Sequence, residues 1–128
     1  MGLNKCLIDT DVIIQWLRGI QDIQEKIEGF IGNGVVLMWT PIQIAEIFAG
    51  MRKGEEEVIS NLFLILDSLF INEDIGKKAG EYLSKYSKSH SLEIADALTA
   101  ATAFHFKLSL WTLNSKHFPM KDINLLKI

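Results

Sequence analysis

Cys6-Leu7-Ile8-Asp9-Thr10-Asp11-Val12-Ile13-Ile14 is the stretch that decides the fold. A short apolar run of strand type ends on a carboxylate, and a helix follows at once. In open α/β sheets, ligands collect in the crevice beyond the carboxyl ends of the strands. Asp9 therefore stands where an acid can hold a cation while the following helix start stiffens the turn. Two more acids, Glu46 and Asp96, interrupt otherwise apolar segments. Three isolated carboxylates in apolar settings suggest a metal site built for phosphate chemistry.

The first strand spans Lys5 to Ile8, and its helix runs from about Asp11 to Arg18, ended by Gly19. Ile23, Ile27 and Phe30 recur at helical spacing in a second helix that starts near Ile20. Val35-Val36-Leu37-Met38-Trp39 is a continuous apolar run, as expected for a parallel strand covered on both faces. Thr40-Pro41-Ile42-Gln43 is a helix start in which threonine caps, proline suits the first helical position and glutamine completes a capping box. That helix reaches about Ala49. The spacing predicts another helix over Glu55 to Leu66, with apolar positions Val58, Leu62, Ile65 and Leu66, and a third strand at Leu69-Phe70-Ile71. A helix from Asn72 or Glu73 to about Tyr86 and a polar loop from Ser87 to Ser91 come next. An alanine-rich helix from Leu92 to Phe106, a fourth strand from Ser109 to Thr112 and a short fifth within Ile123 to Leu126 complete the pattern. Strands alternating with single or paired helices imply an α/β/α sandwich around a mostly parallel, four- to five-stranded sheet, with residues 1–128 forming one domain.

The composition, 48% apolar and 23% charged over 128 residues, is that of a soluble globular protein. The longest apolar stretches, such as Leu62 to Leu66, are far too short to span a bilayer, and the N-terminal residues lack a signal-peptide core, so a cytoplasmic protein is expected. The lone cysteine, Cys6, excludes an internal disulfide and fits buried packing in a reducing compartment. A net charge of −3 with scattered Lys and Arg weighs against a broad basic face, although a bound cation would invert the charge of an acidic site. Trp16, Trp39 and Trp111 read as core or interface residues, and no alternation of aromatic and basic residues suggests base stacking.

Each acid has a second reading. Asp9 is either a turn and cap residue or a ligand, and Thr10 can do the capping, which frees Asp9. Asp11 falls in a first helical turn, where the macrodipole favours a carboxylate. Glu46 is the only charge between Val35 and Met51; buried, it would be costly unless paired or metal-bound, and otherwise it reaches out from the rim of the core. Asp96 lies among the small residues of Ile94 to Ala103, either as a ligand or as an acid near a helix start. Glu93, one turn earlier on the same face, is an accessory acid or a solvated charge. Asn114 and His117 follow the fourth strand, where an amide and an imidazole can orient water or phosphate, and Lys116 and Arg18 are candidate phosphate contacts. His90 and His105 have no partner at metal-ligand spacing.

Taken together, these blocks resemble the PIN-domain family, and within it the VapC-like toxins of bacterial and archaeal toxin–antitoxin pairs. The resemblance rests on Ile8-Asp9-Thr10-Asp11-Val12, Pro41-Ile42-Gln43-Ile44-Ala45-Glu46, the Ile94 to Ala103 helix and Thr112-Leu113-Asn114-Ser115-Lys116-His117-Phe118. It covers nearly the whole chain. It implies a small α/β/α sandwich and an Mg²⁺- or Mn²⁺-dependent endoribonuclease, with Asp9, Glu46 and Asp96 as the catalytic, metal-binding acids. Asp11 adjoins the first motif, and Asn114 matches a frequent polar position of the last. His117 stands where many relatives have aspartate, so that acid is missing here. The resemblance also implies a homodimer and a VapB-like antitoxin whose C-terminal segment crosses the acidic groove. A basic side chain inserted among unpaired carboxylates would satisfy them. Hard divalent cations take oxygen ligands and usually keep several waters.

Two other readings compete. Asp9-Thr10-Asp11-Val12 also fits the aspartyl nucleophile and acid of a haloacid-dehalogenase-type phosphatase, but Thr112 follows Asp96 and only Asp122 comes later, which is the wrong order. A PIN domain that only binds RNA or a protein is the second, and RNA binding without cleavage at any divalent-ion concentration would support it.

Overall fold

In the computed structural model, which describes residues 3–127, five strands form one sheet in the order β3-β2-β1-β4-β5, every neighbouring pair parallel. They are β1 (Lys5–Ile8), β2 (Val36–Trp39), β3 (Asp67–Ser68), β4 (Ser109–Trp111) and β5 (Asn124–Leu125). The helices are α1 (Thr10–Leu17), α2 (Gln21–Gly32), α3 (Pro41–Ala49), α4 (Glu56–Ile65), α5 (Glu73–His90) and α6 (Ile94–Phe106), with a 3-10 turn at Ser115–His117.

Side chains along a strand point alternately to the two faces, and β1 uses both. Cys6 and Ile8 pack with Val12, Ile13, Ile27, Trp39, Ile47 and Leu62 under α1 to α4. Leu7 packs on the other side with Ile75, Ala79, Ala97, Ala100, Leu110 and Phe118 under α5 and α6. The alanines of α6 let it lie close against α5 and the sheet. This is the three-layer arrangement expected from the sequence. No helix among the described residues is long and apolar enough to cross a membrane.

The third strand differs from expectation. It is Asp67–Ser68, paired to Met38–Trp39, and not the apolar Leu69-Phe70-Ile71. At a sheet edge, polar residues suffice: Ser68 Oγ accepts the Trp39 indole N–H at 3.1 Å. Leu69 and Ile71 instead cross to the second core, leaving Phe70 84% exposed. Along α4 and its C-cap the inward face is Ile59, Leu62 and Leu66, while the apolar positions Val58 and Ile65 are exposed. Helix α5 continues past Tyr86 through the segment expected to be a polar loop, ending only at the left-handed Ser91. Lys88 and His90 in its last turn complement the helix dipole, which offsets the polar composition. Helix α6 starts at Ile94, two residues later than expected, with Glu93 at its N-cap.

Chain order places the site. From β1 the chain moves to β2 on one flank and later returns as β4 on the other. The crevice between the carboxyl ends of β1 and β4 is thus the topological switch point of the sheet.

Candidate active site

Asp9 ends β1 at that crevice, its backbone N–H donating to the Trp111 carbonyl at 2.9 Å. Its Oδ1 accepts the Thr10 N–H at 2.9 Å, so Asp9 itself caps α1. The expected capping by Thr10 is not what forms: Thr10 is already helical, and its hydroxyl donates to Glu46 Oε1 at 2.6 Å. Capping leaves Asp9 Oδ2 pointing to the other wall, where the Thr112 hydroxyl donates to it at 2.8 Å.

Asp11 also turns into the crevice. Its Oδ2 accepts the Leu113 N–H at 3.1 Å and lies 3.4 Å from Thr112 Oγ1, while its Oδ1 is buried with no hydrogen-bond partner. Buried acceptors in folded proteins nearly always have partners, so this oxygen is an unmet valence. Asp96, half-buried in the first turn of α6, faces His117, whose Nδ1 is 3.7 Å from Asp96 Oδ2. Glu46 is exposed, not a lone buried carboxylate, because α3 turns Gln43 and Ile47 inward and leaves Glu46 on the rim.

A buried polar link sets the spacing of the helices that carry these acids. Thr40 caps α3 in the expected capping box, and the Gln43 side chain donates to Thr99 Oγ1 at 2.8 Å. Thr99 in turn donates to the Ala95 carbonyl at 2.9 Å. Gln43 and Thr99 are essentially inaccessible, and each lies one helical turn from a site acid, Glu46 and Asp96.

Burial raises all three carboxyls. Burial, then repulsion from Asp11 and more weakly from Asp96, raises Asp9 from an ordinary 3.8 to about 6, against the pull of Thr112 and the Thr10 N–H. Burial also raises Asp11, with Leu113, Val12, Thr112 and His117 opposing it. Asp96 is raised by burial and by Glu93, Glu46 and Asp11, with His117 opposing. Among the described residues no three acidic, His or Cys side chains close into a cage around an ion. The donor set is all oxygen, negative and part-open, with one orphaned carboxylate oxygen. It fits a hard divalent cation that keeps waters and substrate oxygens in its shell.

Other expected residues take different places. Glu93 is an exposed N-cap residue whose charge reaches Asp96. Asn114 enters the network through its backbone N–H, which donates to Thr112 Oγ1 at 3.1 Å, and not through its amide. Lys116 is exposed on the 3-10 turn beside His117, and Arg18 is turned to Glu55 at 3.9 Å, away from the phosphate role expected of it. Thr112 and Thr10 were missed as site residues. The signal for Thr112 was its position at the carboxyl end of β4, level with Asp9 on β1. A depression of about 580 Å³ lined by Lys5, Lys107 and Asn124 lies at the opposite end of the sheet, whereas one of about 590 Å³ reaches Thr112 and Leu113 beside the acids.

Comparison with known proteins agrees. The PIN domain family model matches residues 6–122. Ribonuclease VapC10 of Mycobacterium tuberculosis is 33% identical over 115 residues, 89% of this chain and 86% of the relative. Ribonuclease VapC19 of the same organism is 31% identical over 115 residues, 89% of this chain and 92% of the relative. Among solved structures, VapBC-1 from nontypeable Haemophilus influenzae superposes with a TM-score of 0.78 at 22% identity, covering 96% of this chain and 97% of that one. DNA-bound VapBC from Salmonella typhimurium gives 0.80 at 17% identity, covering 97% and 98%. At such identities the structures speak for the fold alone, whereas the family model and the sequence relatives speak for descent: this chain belongs to the PIN-domain family.

Proposed function

We propose that this protein is a VapC-type toxin, an endoribonuclease that hydrolyses RNA phosphodiester bonds at the β1–β4 crevice with Mg²⁺ or Mn²⁺. The observation that carries the reading is the burial of three carboxylates, Asp9, Asp11 and Asp96, at one crevice, with Asp11 Oδ1 buried and unpaired. Such a cluster is costly to the fold by itself and becomes favourable when a cation occupies it. The relatives named as ribonucleases support RNA as the substrate.

Asp9, Asp11 and Asp96 would hold the ion, with Glu46 at the rim. A divalent ion there supplies a Lewis acid for the phosphodiester and a lowered pKa for bound water. The protein supplies orientation. Thr112 and the Thr10 N–H fix both oxygens of Asp9, Leu113 N–H fixes one oxygen of Asp11, and Thr10 holds Glu46 where it can accept a proton from an incoming water. His117, facing Asp96, offers a donor to a substrate phosphate.

Partners follow from the same reading. A VapB-like antitoxin that inserts a basic side chain among these carboxylates would satisfy Asp11 Oδ1 and exclude the metal. The exposed apolar residues Phe48, Val58, Phe63, Leu64 and Ile65 on α3 and α4 support a homodimer. A reducing cytoplasm suits the buried, unpaired Cys6.

The deciding experiment incubates structured and single-stranded RNAs with purified protein and Mg²⁺, Mn²⁺ or EDTA, beside Asp96→Asn prepared identically. Metal-dependent cleavage that Asp96→Asn lacks is the expected result. Equal cleavage by both proteins exposes a contaminating nuclease. Metal-independent RNA binding with no cleavage by either, across substrates and ions, makes this a binding-only PIN domain.

A further inference from the structure

Three lysines that look scattered along the chain, Lys78, Lys85 and Lys121, are gathered by the fold into one cleft. Helix α5 and the segment after the 3-10 turn line a cavity of about 250 Å³ with Lys78, Glu81, Lys85, Tyr86, Lys121 and Asp122. Residues 77–90 and 115–122 together hold six lysines against two acids, Glu81 and Asp122, a net +4 in a chain of net −3, so everything else sums to −7. Asp122 is spent internally: Lys78 binds it at 2.8 Å and the buried Tyr82 hydroxyl donates to it at 2.7 Å. Glu81, 3.6 Å away, is also Lys78's partner. Among the described residues Lys85, Lys88, Lys116 and Lys121 have no acidic partner within ion-pair distance, and all are exposed.

An aromatic ring sits among these cations. Half-buried Tyr86 has Lys85 Nζ 5.3 Å from its ring centre and the His90 ring edge-on to it at 5.7 Å. An aromatic ring within a positively charged groove is how single-stranded nucleic acid is held without sequence readout. Both walls of the cleft continue along the chain toward the acids. Helix α5 ends at His90, only a short link before α6 presents Asp96, and the other wall begins at Lys116 and His117, which faces Asp96 at 3.7 Å.

We propose that this cleft, with Lys85, Lys121 and Tyr86 as its contact surface, holds the single-stranded RNA that flanks the scissile phosphate. The phosphates lie between Lys85 and Lys121, one base stacks on Tyr86, and Lys116 and Lys88 continue the positive path toward the crevice. This rests on the nuclease reading and adds where the strand runs. A field positive along this path and negative at the crevice draws the strand in and leaves the metal to neutralise the cut site.

The test uses the full chain carrying Asp96→Asn, so that RNA stays intact, and a labelled single-stranded RNA of about 12 nucleotides, matched to a groove of this kind. Anisotropy titrations at several salt concentrations compare it with the same protein carrying Lys85→Gln and Lys121→Gln. The double substitution is expected to weaken binding about tenfold and to flatten the salt dependence by about one counterion. Tyr86→Leu, which keeps the packing, is expected to weaken binding severalfold with the salt slope unchanged. With Asp96 intact, Lys85→Gln/Lys121→Gln is expected to cut a dinucleotide at the parent rate and longer RNA more slowly. Equal affinity and slope with and without the double substitution, where the protein with Asp96 intact cleaves RNA, overturn the cleft alone. No RNA binding by the Asp96→Asn protein together with no cleavage by the protein with Asp96 intact overturns both readings. Loss of binding to an acidic peptide with RNA affinity unchanged assigns the face to a protein and overturns the proposal.

Discussion

Asp9 shows what a single residue does here and what it costs. Below an ordinary 3.8 its carboxyl is protonated whether the chain is folded or not; between 3.8 and about 6 the folded protein keeps a proton that the unfolded chain releases; above 6 the fold carries the full penalty. Stability of the metal-free protein therefore falls as pH rises through this window. Asp9→Asn keeps a capping side chain and removes the charge. Its melting temperature in EDTA at pH 7.5 is expected to exceed the parent's by about 5 °C, for a gain of about 1–2 kcal/mol, with the gap closing toward pH 4. A variant that melts at or below the parent temperature at pH 7.5 would show that Asp9 is not under strain. Thr112 touches the same carboxylate. Thr112→Val is expected to lower metal-dependent cleavage about ten- to a hundredfold, and Thr112→Ser to restore it, because groups that orient ligands act at that scale. Unchanged rates in Thr112→Val would remove it from the site. Asp9 was legible as a candidate site residue because a carboxylate right after an apolar strand is conspicuous. Thr112 was not, since its role exists only once β4 lies beside β1.

Helices α3 and α6 bring their acids together through a link that neither helix contains alone. Thr99→Val leaves the buried Gln43 amide unpaired, at an expected cost of about 1–3 kcal/mol. Because Gln43 and Thr99 stand one turn from Glu46 and Asp96, the same variant is expected to raise the Mg²⁺ concentration needed for half-maximal cleavage, and Thr99→Ser to reverse that change. Lost stability with an unaltered Mg²⁺ dependence would make the link structural only. The Thr40-Pro41-Ile42-Gln43 start was readable as a capping box, and the box is there. Its second job, reaching α6, was hidden because it depends on the separation of two helices far apart in sequence. The third strand and the end of α5 were misread for a related reason: an edge strand needs little apolar character, and a solvated helical face tolerates a polar run.

At the scale of the molecule, Leu64 is 85% exposed on α4 amid Phe48, Val58, Phe63 and Ile65, and a homodimer covers this face in the proposed assembly. Sedimentation at micromolar concentration is expected to give a dimer and Leu64→Glu a monomer with an unaltered melting profile of the fold; a monomeric parent would count against the dimer. The sheet, its layers and three of the acids could be read from the chain itself. Strand-length apolar runs, helical spacing and an isolated acid in an apolar setting are local properties that neighbouring residues impose on one another. Only the tertiary structure decided which oxygens are held, that Asp11 belongs to the cluster with one oxygen unpaired, and that Glu46 stands at the rim. It also gathered Lys85 and Lys121 around one cleft, although 36 positions separate them. The physical reason is that electrostatics and hydrogen bonding depend on distance in space, which packing across the sheet sets and sequence spacing does not.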